Sequence, residues 1–464
     1  MDQAAFDRVT ASFTRFHAHF APLFGRVEVQ QHSERYLRGL LVQHAERRNA
    51  ENLAEAVGGV NPRALQRLLT NAPWKHEPVI DALHAFLGPR LNDPAGVWII
   101  DDSGFAKQGR KSVGVARQYS GTLGKVGNCQ IGVGLTYASP RGHTLVDMRL
   151  YLPQVWTEDP ARAAAAGVPK HTAYQSKPEL GMAMLRAARK RAHLVAPWVT
   201  ADEGYGQVPS FRDTLDAEGW WYVVEVPCTT HVFVEEAVAA VPAWQGRGKK
   251  PTRARLLVGE PAPLPVAEVA MGLSAAAWHR GTVGDGAHGP RTYQFAVPRV
   301  WECRAGIPGR ECWLVLRRNL DGSELKYMLS NAPASIAART LGQVGATRWS
   351  VETDIQVQKE EIGLDEYEVR SWQGWYHHIT LSLLAGAFLV QVQQEWGEKD
   401  AAGDAPTDQP GSARALAQAS VERRRVVALA AGDPDAQRAG QTIAYQTATS
   451  PGRHAPAESA PLAK

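Results

Sequence analysis

The sequence predicts an α/β protein with a helical N-terminal region, a core of alternating short strands and helices, and a mostly β stretch before helices return. Three observations carry this. Helical periodicity punctuated by glycine and proline runs to about residue 90. Two short apolar runs, VWII at 97–100 and PWVTA at 197–201, then end in acids. Several further β-like runs, with no helical period, fill about 227–330.

Each element follows from local signals. A helix from about Arg47 to Val57 stops at Gly58-Gly59, and Pro62 opens the next through Leu65, Leu68 and Leu69. The pair reads either as a helix-turn-helix, with Arg63, Gln66, Arg67 and Asn71 on its polar face, or as part of a plain helical bundle. Val97–Ile100 is continuously apolar, as suits a strand covered on both faces. Strand texture continues at Cys129–Tyr137 and Thr144–Leu152, followed by a helix at Pro178–Arg191 and strands at Pro197–Ala201 and Trp220–Val226. More strands fall at Tyr293–Val297, Cys312–Arg317 and Leu325–Leu329. Helices are expected at Ser335–Leu341, about Thr347–Ile362 and His377–Trp396. The greasiest run, Ile379–Val392, is shorter than the roughly 20 residues that cross a bilayer, so it reads as a buried core helix. From residue 397 to 464 alanine, glycine, proline, aspartate and glutamine dominate; a low-order tail is expected there, with one helical patch at Ala413–Ala430.

Composition narrows the class. A chain of 464 residues, 44% hydrophobic and 21% charged, suits two or three soluble globular domains. The start MDQAAFDRVTASF has an acid at position 2 and no apolar run, so no secretory signal is expected. Cysteines 129, 228, 303 and 312 form no CxxC pair, which argues against a disulfide framework or structural zinc and for a reducing cytoplasm. The net charge of +4 is small, but the cations cluster. Lys107, Arg110, Lys111, Arg117 and Lys125 make one group without acids between them. Arg186, Arg189, Lys190 and Arg191 make a second, and Arg247, Lys249, Lys250, Arg253 and Arg255 a third. Such groups suit a phosphate backbone, or are solvated faces.

The chemistry concentrates at three places. VWIIDDSG and PWVTADEG each end an apolar strand in acids, at Asp101-Asp102 and Asp202-Glu203, and strand ends are where α/β sheets place ligands. Converging carboxylates call for a hard divalent cation such as Mg²⁺. In TRWSVETDIQVQKEEIG, Arg348, Glu352 and Lys359 fall on one helical face, within about 40° of each other. Val351, Ile355 and Ile362 form the apolar stripe beside them, so Glu352 is expected at the border of the buried face. Asp354 flanks the stripe on its other side; the cations beside Glu352 favour Glu352 and suit substrate phosphates.

Arg-x3-Glu-x6-Lys resembles the signature around the catalytic glutamate of a large group of bacterial insertion-sequence DDE transposases. The likeness extends to IIDDSGFAKQGRKSVGVARQYSG, VTADEGYG, YMLSNAP and the N-terminal FGRVEVQQHSERYLRGLLVQHAERRNAENLAEAVG, and covers roughly residues 20–395. It implies an RNase H-like core over 93–396 with a β-rich insertion at about 227–335, an N-terminal helical, DNA-binding domain over 1–92, and a tail from 397. Carried over by position, Asp102, Asp202 and Glu352 are the catalytic, metal-holding triad, with Arg348 and Lys359 in support. Asp102 is preferred to Asp101 because the family's aspartate directly precedes a small hydroxyl residue, here Ser103. The chain departs from the signature at Gly345, where a tyrosine stands three residues before the arginine. The implied activity is cleavage at the ends of a mobile element and strand transfer into target DNA. It would use two Mg²⁺ ions, for which Mn²⁺ substitutes. Terminal inverted repeats and target DNA are the implied partners, met by a homodimer in the cytoplasm, at the nucleoid, with no membrane contact. The alternatives are another RNase H-like nuclease and a non-catalytic DNA-binding descendant of a transposase.

Overall fold

A computed structural model describes residues 3–42, 47–244, 246–286 and 289–403. Five helices come first: α1 (Gln3–Phe20), α2 (Val27–Leu40), α3 (Ala50–Val57), α4 (Pro62–Thr70) and α5 (His76–Leu91). Their ends obey local chemistry. The Asn49 side chain accepts from the Glu51 and Asn52 amides, and that of Asn61 from the Arg63 amide, satisfying amides with no helical partner. Gly58 (φ 68°) and Gly59 (φ 61°) turn the chain left-handed after α3, where a side chain is disfavoured. On α4, Leu65, Leu68 and Leu69 are buried, while Arg63, Gln66, Arg67 and Asn71 are exposed.

A mixed sheet follows, built from β1 (Val97–Ala106), β2 (Ala116–Ser120), β3 (Lys125–Ser139) and β4 (Gly142–Tyr151). Short helices α6 (Gln154–Thr157) and α7 (Pro160–Ala165) lead to α8 (Lys177–Arg191), β5 (Trp198–Ala201), α9 (Glu203–Gly206), α10 (Pro209–Ala217) and β6 (Trp221–Glu225). Side by side the strands run β4-β3-β1-β5-β6, with β1 antiparallel to β3 but parallel to β5, and β5 parallel to β6.

The next stretch is mostly β. It comprises β7 (His231–Phe233), β8 (Ala239–Ala240), β9 (Arg255–Leu256), β10 (Leu264–Pro265), α11 (Val266–Gly272), β11 (His279–Gly286), β12 (Gly289–Ala296), β13 (Arg299–Arg304), β14 (Ile307–Asn319) and β15 (Leu325–Ser330). Apart from β8 and β9, which form a separate two-stranded sheet, it extends the same sheet, because β15 pairs with β6 through Met328–Glu225 and Leu329–Val224. An ion pair under 5% exposed on either side, Arg212 on α10 to Glu302 on β13 at 3.3 Å, ties it to the core. Removing Arg212 would leave the buried Glu302 with Arg304 as its remaining cation. Arg212→Ala is therefore expected to cost about 1–3 kcal/mol, read as a lower denaturant midpoint; a loss no larger than that of an exposed arginine would refute this.

Helices then return as α12 (Ala338–Thr347), α13 (Trp349–Glu360) and α14 (Trp372–Gly403). The sequence predicted a gap between Leu341 and Thr347, where Gly342 and Gly345 lower helix propensity. Instead α12 runs through both. A β-carbon at Gly342 would lie 2.9 Å from Phe295, and one at Gly345 2.7 Å from the Met328 sulfur, so these glycines let α12 press onto the sheet. α14 also continues to Gly403, past the change in composition at 397; the tail from 404, including Ala413–Ala430, lies outside the described residues.

Ile379–Val392 is buried within α14, and among the described residues no helix is long and apolar enough to cross a membrane. One core spans α1–α5, α14 and one sheet face. Phe13 meets Phe388 edge-on at 5.3 Å, and His377 stacks on Trp74 at 3.7 Å. Burial pushes three histidines down, His84 and His377 to about 4 and His378 to about 3. Each is neutral when folded and protonates near 6.5 when unfolded, so stability is full above about 6.5 and falls as pH drops toward 4. The urea midpoint should therefore fall between about pH 7.5 and pH 5, and His378→Gln should flatten that slope; an unchanged slope would contradict it.

Candidate active site

Strand register brings the acids together. The last parallel pairs are Ile100–Ala201 and Ala201–Val224, so Asp101, Asp202 and Glu225 come one step later on three adjacent strands. Side chains alternate along a strand. Asp101, Asp202 and Glu225 share parity with Ile99, Trp198 and Val223, which pack with Leu341, Val344 and Val351 of α12 and α13. Asp102 has the parity of Ile100, which packs on the α8 side with Leu180 and Leu185.

The contacts follow these faces. Lys177, at the start of α8, donates to Asp102 Oδ2 at 2.5 Å. Tyr205 bridges the two strand ends: its hydroxyl donates to Asp102 Oδ1 and its amide to Asp202 Oδ1 at 3.3 Å. Burial pushes the Asp202 carboxyl up, and the charge of Asp102 adds to this. Burial likewise raises Asp101 to about 7, against the pull of Arg348. These carboxyls are thus held without enough positive charge between them.

Arg348 sits at the junction of α12 and α13 and reaches three carboxylates. Its Nε donates to Glu225 at 3.0 Å, Nη1 to Asp101 at 3.2 Å and Nη2 to Glu352 at 2.5 Å. Burial opposes its charge, but Glu225, Asp101 and Glu352 outweigh that and push its pKa up. Glu352 is 60% exposed, not at the edge of the buried face as its stripe predicted. The buried side of α13 is Val351 and Gln358, with Ile355 only half-buried. The shift follows from packing on α14, where a β-carbon at Gly386 would lie 2.0 Å from the Gln358 amide nitrogen. Asp354 points elsewhere, accepting from His143 Nδ1 at 2.7 Å.

The family of DDE superfamily endonucleases matches this chain over residues 19–290. The chain belongs to that family. The match takes in Asp102, Asp202 and Glu225 and ends before Arg348 and Glu352. The chain is also 27% identical over 202 residues to the probable transposase for insertion sequence element IS701 of Microchaete diplosiphon. That alignment covers 43% of this chain and 50% of the relative, so the chain spans about half the length of the curated relative it matches. A solved piggyBac transposase synaptic complex with hairpin DNA aligns over 98% of this chain and 86% of its own, at 11% identity and a TM-score of 0.38.

The other expected residues fall into two sets. Lys359 donates to the Gly104 carbonyl at 3.1 Å and to Thr122 at 2.9 Å, bracing β1 beyond the acids. Lys107 donates to the Tyr367 carbonyl and lies over that ring at 3.6 Å, where burial pushes its ammonium down to about 8. Arg186 and Arg191 are bound to Glu218 and Asp81. By contrast Arg110, Lys111, Arg117 and Lys125 are exposed near β1–β3, and Arg247, Lys249, Lys250 and Arg253 in the loop between β8 and β9. All four cysteines are free.

Three residues went unnoticed in the sequence: Glu225, Tyr205 and Lys177. Glu225 ends the apolar run WYVVE, the same signal that marked the aspartates, but no glycine follows it. Tyr205 lies inside ADEGYG, and Lys177 follows Ser176, which forms a capping box with Glu179. An all-oxygen donor set suits a hard divalent ion, and the raised Asp101 and Asp202 carboxyls show a local shortage of positive charge. The residues fit such an ion in chemistry. Among the described residues, however, no three acids, histidines or cysteines already converge on one point. Glu352 is drawn onto Arg348, and Lys177 onto Asp102.

Proposed function

We propose that this endonuclease is a DNA transposase that cleaves at the ends of a mobile element and joins the freed ends to target DNA. The observation that carries the reading is the row of acids at one level across three neighbouring parallel strands, with Glu352 brought beside it through Arg348. The strand order β4-β3-β1-β5-β6 supports an RNase H-like core within about 93–396, in which 227–335 is an insertion. The helices before β1 are read as the DNA-binding domain over 1–92, on the strength of the exposed Arg63, Gln66, Arg67 and Asn71.

Asp102, Asp202 and Glu352 would hold two Mg²⁺ ions, with Mn²⁺ able to replace them. Bound ions of this kind supply activation of the attacking oxygen and neutralisation of the leaving one. The chain's own residues do the rest. Tyr205 fixes the angle of both aspartates, Lys177 balances Asp102 until the site loads, and Arg348 adds positive charge where a phosphate would sit. Arg110, Lys111, Arg117, Lys125, Arg247, Lys249, Lys250 and Arg253 are read as backbone contacts to inverted-repeat and target DNA. Joining two ends calls for at least a homodimer, and its place of work would be the nucleoid.

The test is cleavage of labelled DNA carrying the flanks of the protein's own gene, with Mg²⁺ or Mn²⁺. Nicking at the element ends that vanishes in Glu352→Gln is expected. Binding without cleavage by the wild type would instead favour a non-catalytic descendant. One observation supports a second assignment within the site: Asp101, not Asp102, shares Arg348 with Glu352. Asp101→Asn and Asp102→Asn compared in the same assay decide which aspartate is essential.

A further inference from the structure

This inference rests on reading the strand-end row as a divalent-metal site. Arg348 is 13% exposed and has three carboxylate partners of unequal exposure. Glu352 is 60% exposed on a helix, and Asp101 lies within β1, paired with Gly134 of β3 and beside Asp202. Glu225 is the least exposed of the three, it belongs to the pair Met328–Glu225 that joins β15 to β6, and its second oxygen lies 3.6 Å from Lys326 Nζ. If Glu352 turns to an ion, Arg348 loses its one exposed partner while its guanidinium stays largely out of water. A buried guanidinium without a partner is strongly disfavoured. Glu225, on the Nε side, remains whichever of Asp101 and Asp102 takes the ion.

We propose that Glu225 is a positioning residue of the active site, the anchor that holds Arg348 over the row of acids while Glu352 turns to metal. The anchoring depends on how closely α12 approaches. With a β-carbon at position 345 only 2.7 Å from the Met328 sulfur and 3.2 Å from Val223, α12 lies on β6 and β15 closely enough for Arg348 to reach Glu225. This also accounts for Gly345 where the signature carries tyrosine: a ring at that position has no room against the sheet.

The test uses full-length protein labelled with [15N]arginine, with the Arg348 Nε–H resonance identified by its loss in Arg348→Lys. In the wild type that proton should stay protected from exchange with and without Mg²⁺. Glu225→Gln should lose the protection when Mg²⁺ is added. Its cleavage rate at saturating DNA should fall on the order of 100-fold, the scale of a misplaced catalytic group, while Mn²⁺ affinity measured by calorimetry stays within a few-fold. Mn²⁺ affinity falling together with the rate would make Glu225 a ligand and overturn the proposal. So would unchanged protection of the Nε–H. Glu225→Asp, which keeps the charge but pulls it back by one methylene, covers the case in which the glutamine variant does not fold. It should show weaker protection and a partial rate, and wild-type values for both would also overturn the proposal. Wild-type protein that nicks no DNA would overturn the transposase reading instead, while the exchange and Mn²⁺ measurements would still decide the role of Glu225.

Discussion

Asp202→Ala is expected to abolish strand cleavage, by on the order of 10³-fold or more, while leaving DNA binding largely intact. Asp202 is the acid shared by every arrangement of the site: it lies between Asp101 and Glu225 along the row and joins Asp102 through Tyr205. Its removal takes a negative charge out of a cluster already short of positive charge, so the fold should not suffer and the thermal midpoint should hold or rise. Binding depends on cations elsewhere, which the substitution leaves alone. Gel-shift and cleavage assays on the same labelled ends separate the two effects. Equal loss of binding and cleavage would remove Asp202 from its catalytic assignment.

The largest structural effect is expected from Gly206→Ala. A β-carbon there would lie 1.9 Å from the Glu225 carbonyl oxygen, and backbone cannot step aside as a side chain can. Gly206 ends the turn that carries Asp202 and Tyr205, so a methyl group would push that turn off β6. A destabilisation of about 4–5 kcal/mol or more is expected, together with loss of cleavage. Gly204→Ala is the control. Its β-carbon would meet the Asp202 carboxylate at 3.1 Å, a side chain with room to adjust, so activity should suffer more than stability. Equal melting temperatures for wild type and Gly206→Ala would show that the turn does not press on β6 in this way.

Much of this protein was determined by its sequence read alone. The acids ending VWIIDD and PWVTAD, the spacing of Arg348, Glu352 and Lys359, the helix stops at Gly58-Gly59 and the buried run of α14 are local patterns. Local patterns survive because strand alternation, helical period and capping act over a few residues. Tertiary structure alone decided the rest. Asp101 and Asp102 are neighbours on one strand and so face opposite ways, but only the packing of β1 between α8 and α13 decides what each of them meets. Arg348 and Lys359 looked like free cations for phosphate, yet one is held by three acids, of which Glu225 and Asp101 are more than 100 residues away in the chain, and the other by β1, also more than 100 residues away. Glu225 became part of the site through parallel pairing with β5, a register that nothing near residue 225 encodes. Gly342 and Gly345 read as helix breakers, whereas in the fold they are the surface by which α12 meets the sheet. The physical reason is the same in each case: a residue's partners are chosen by segments distant in sequence, and close packing makes that choice.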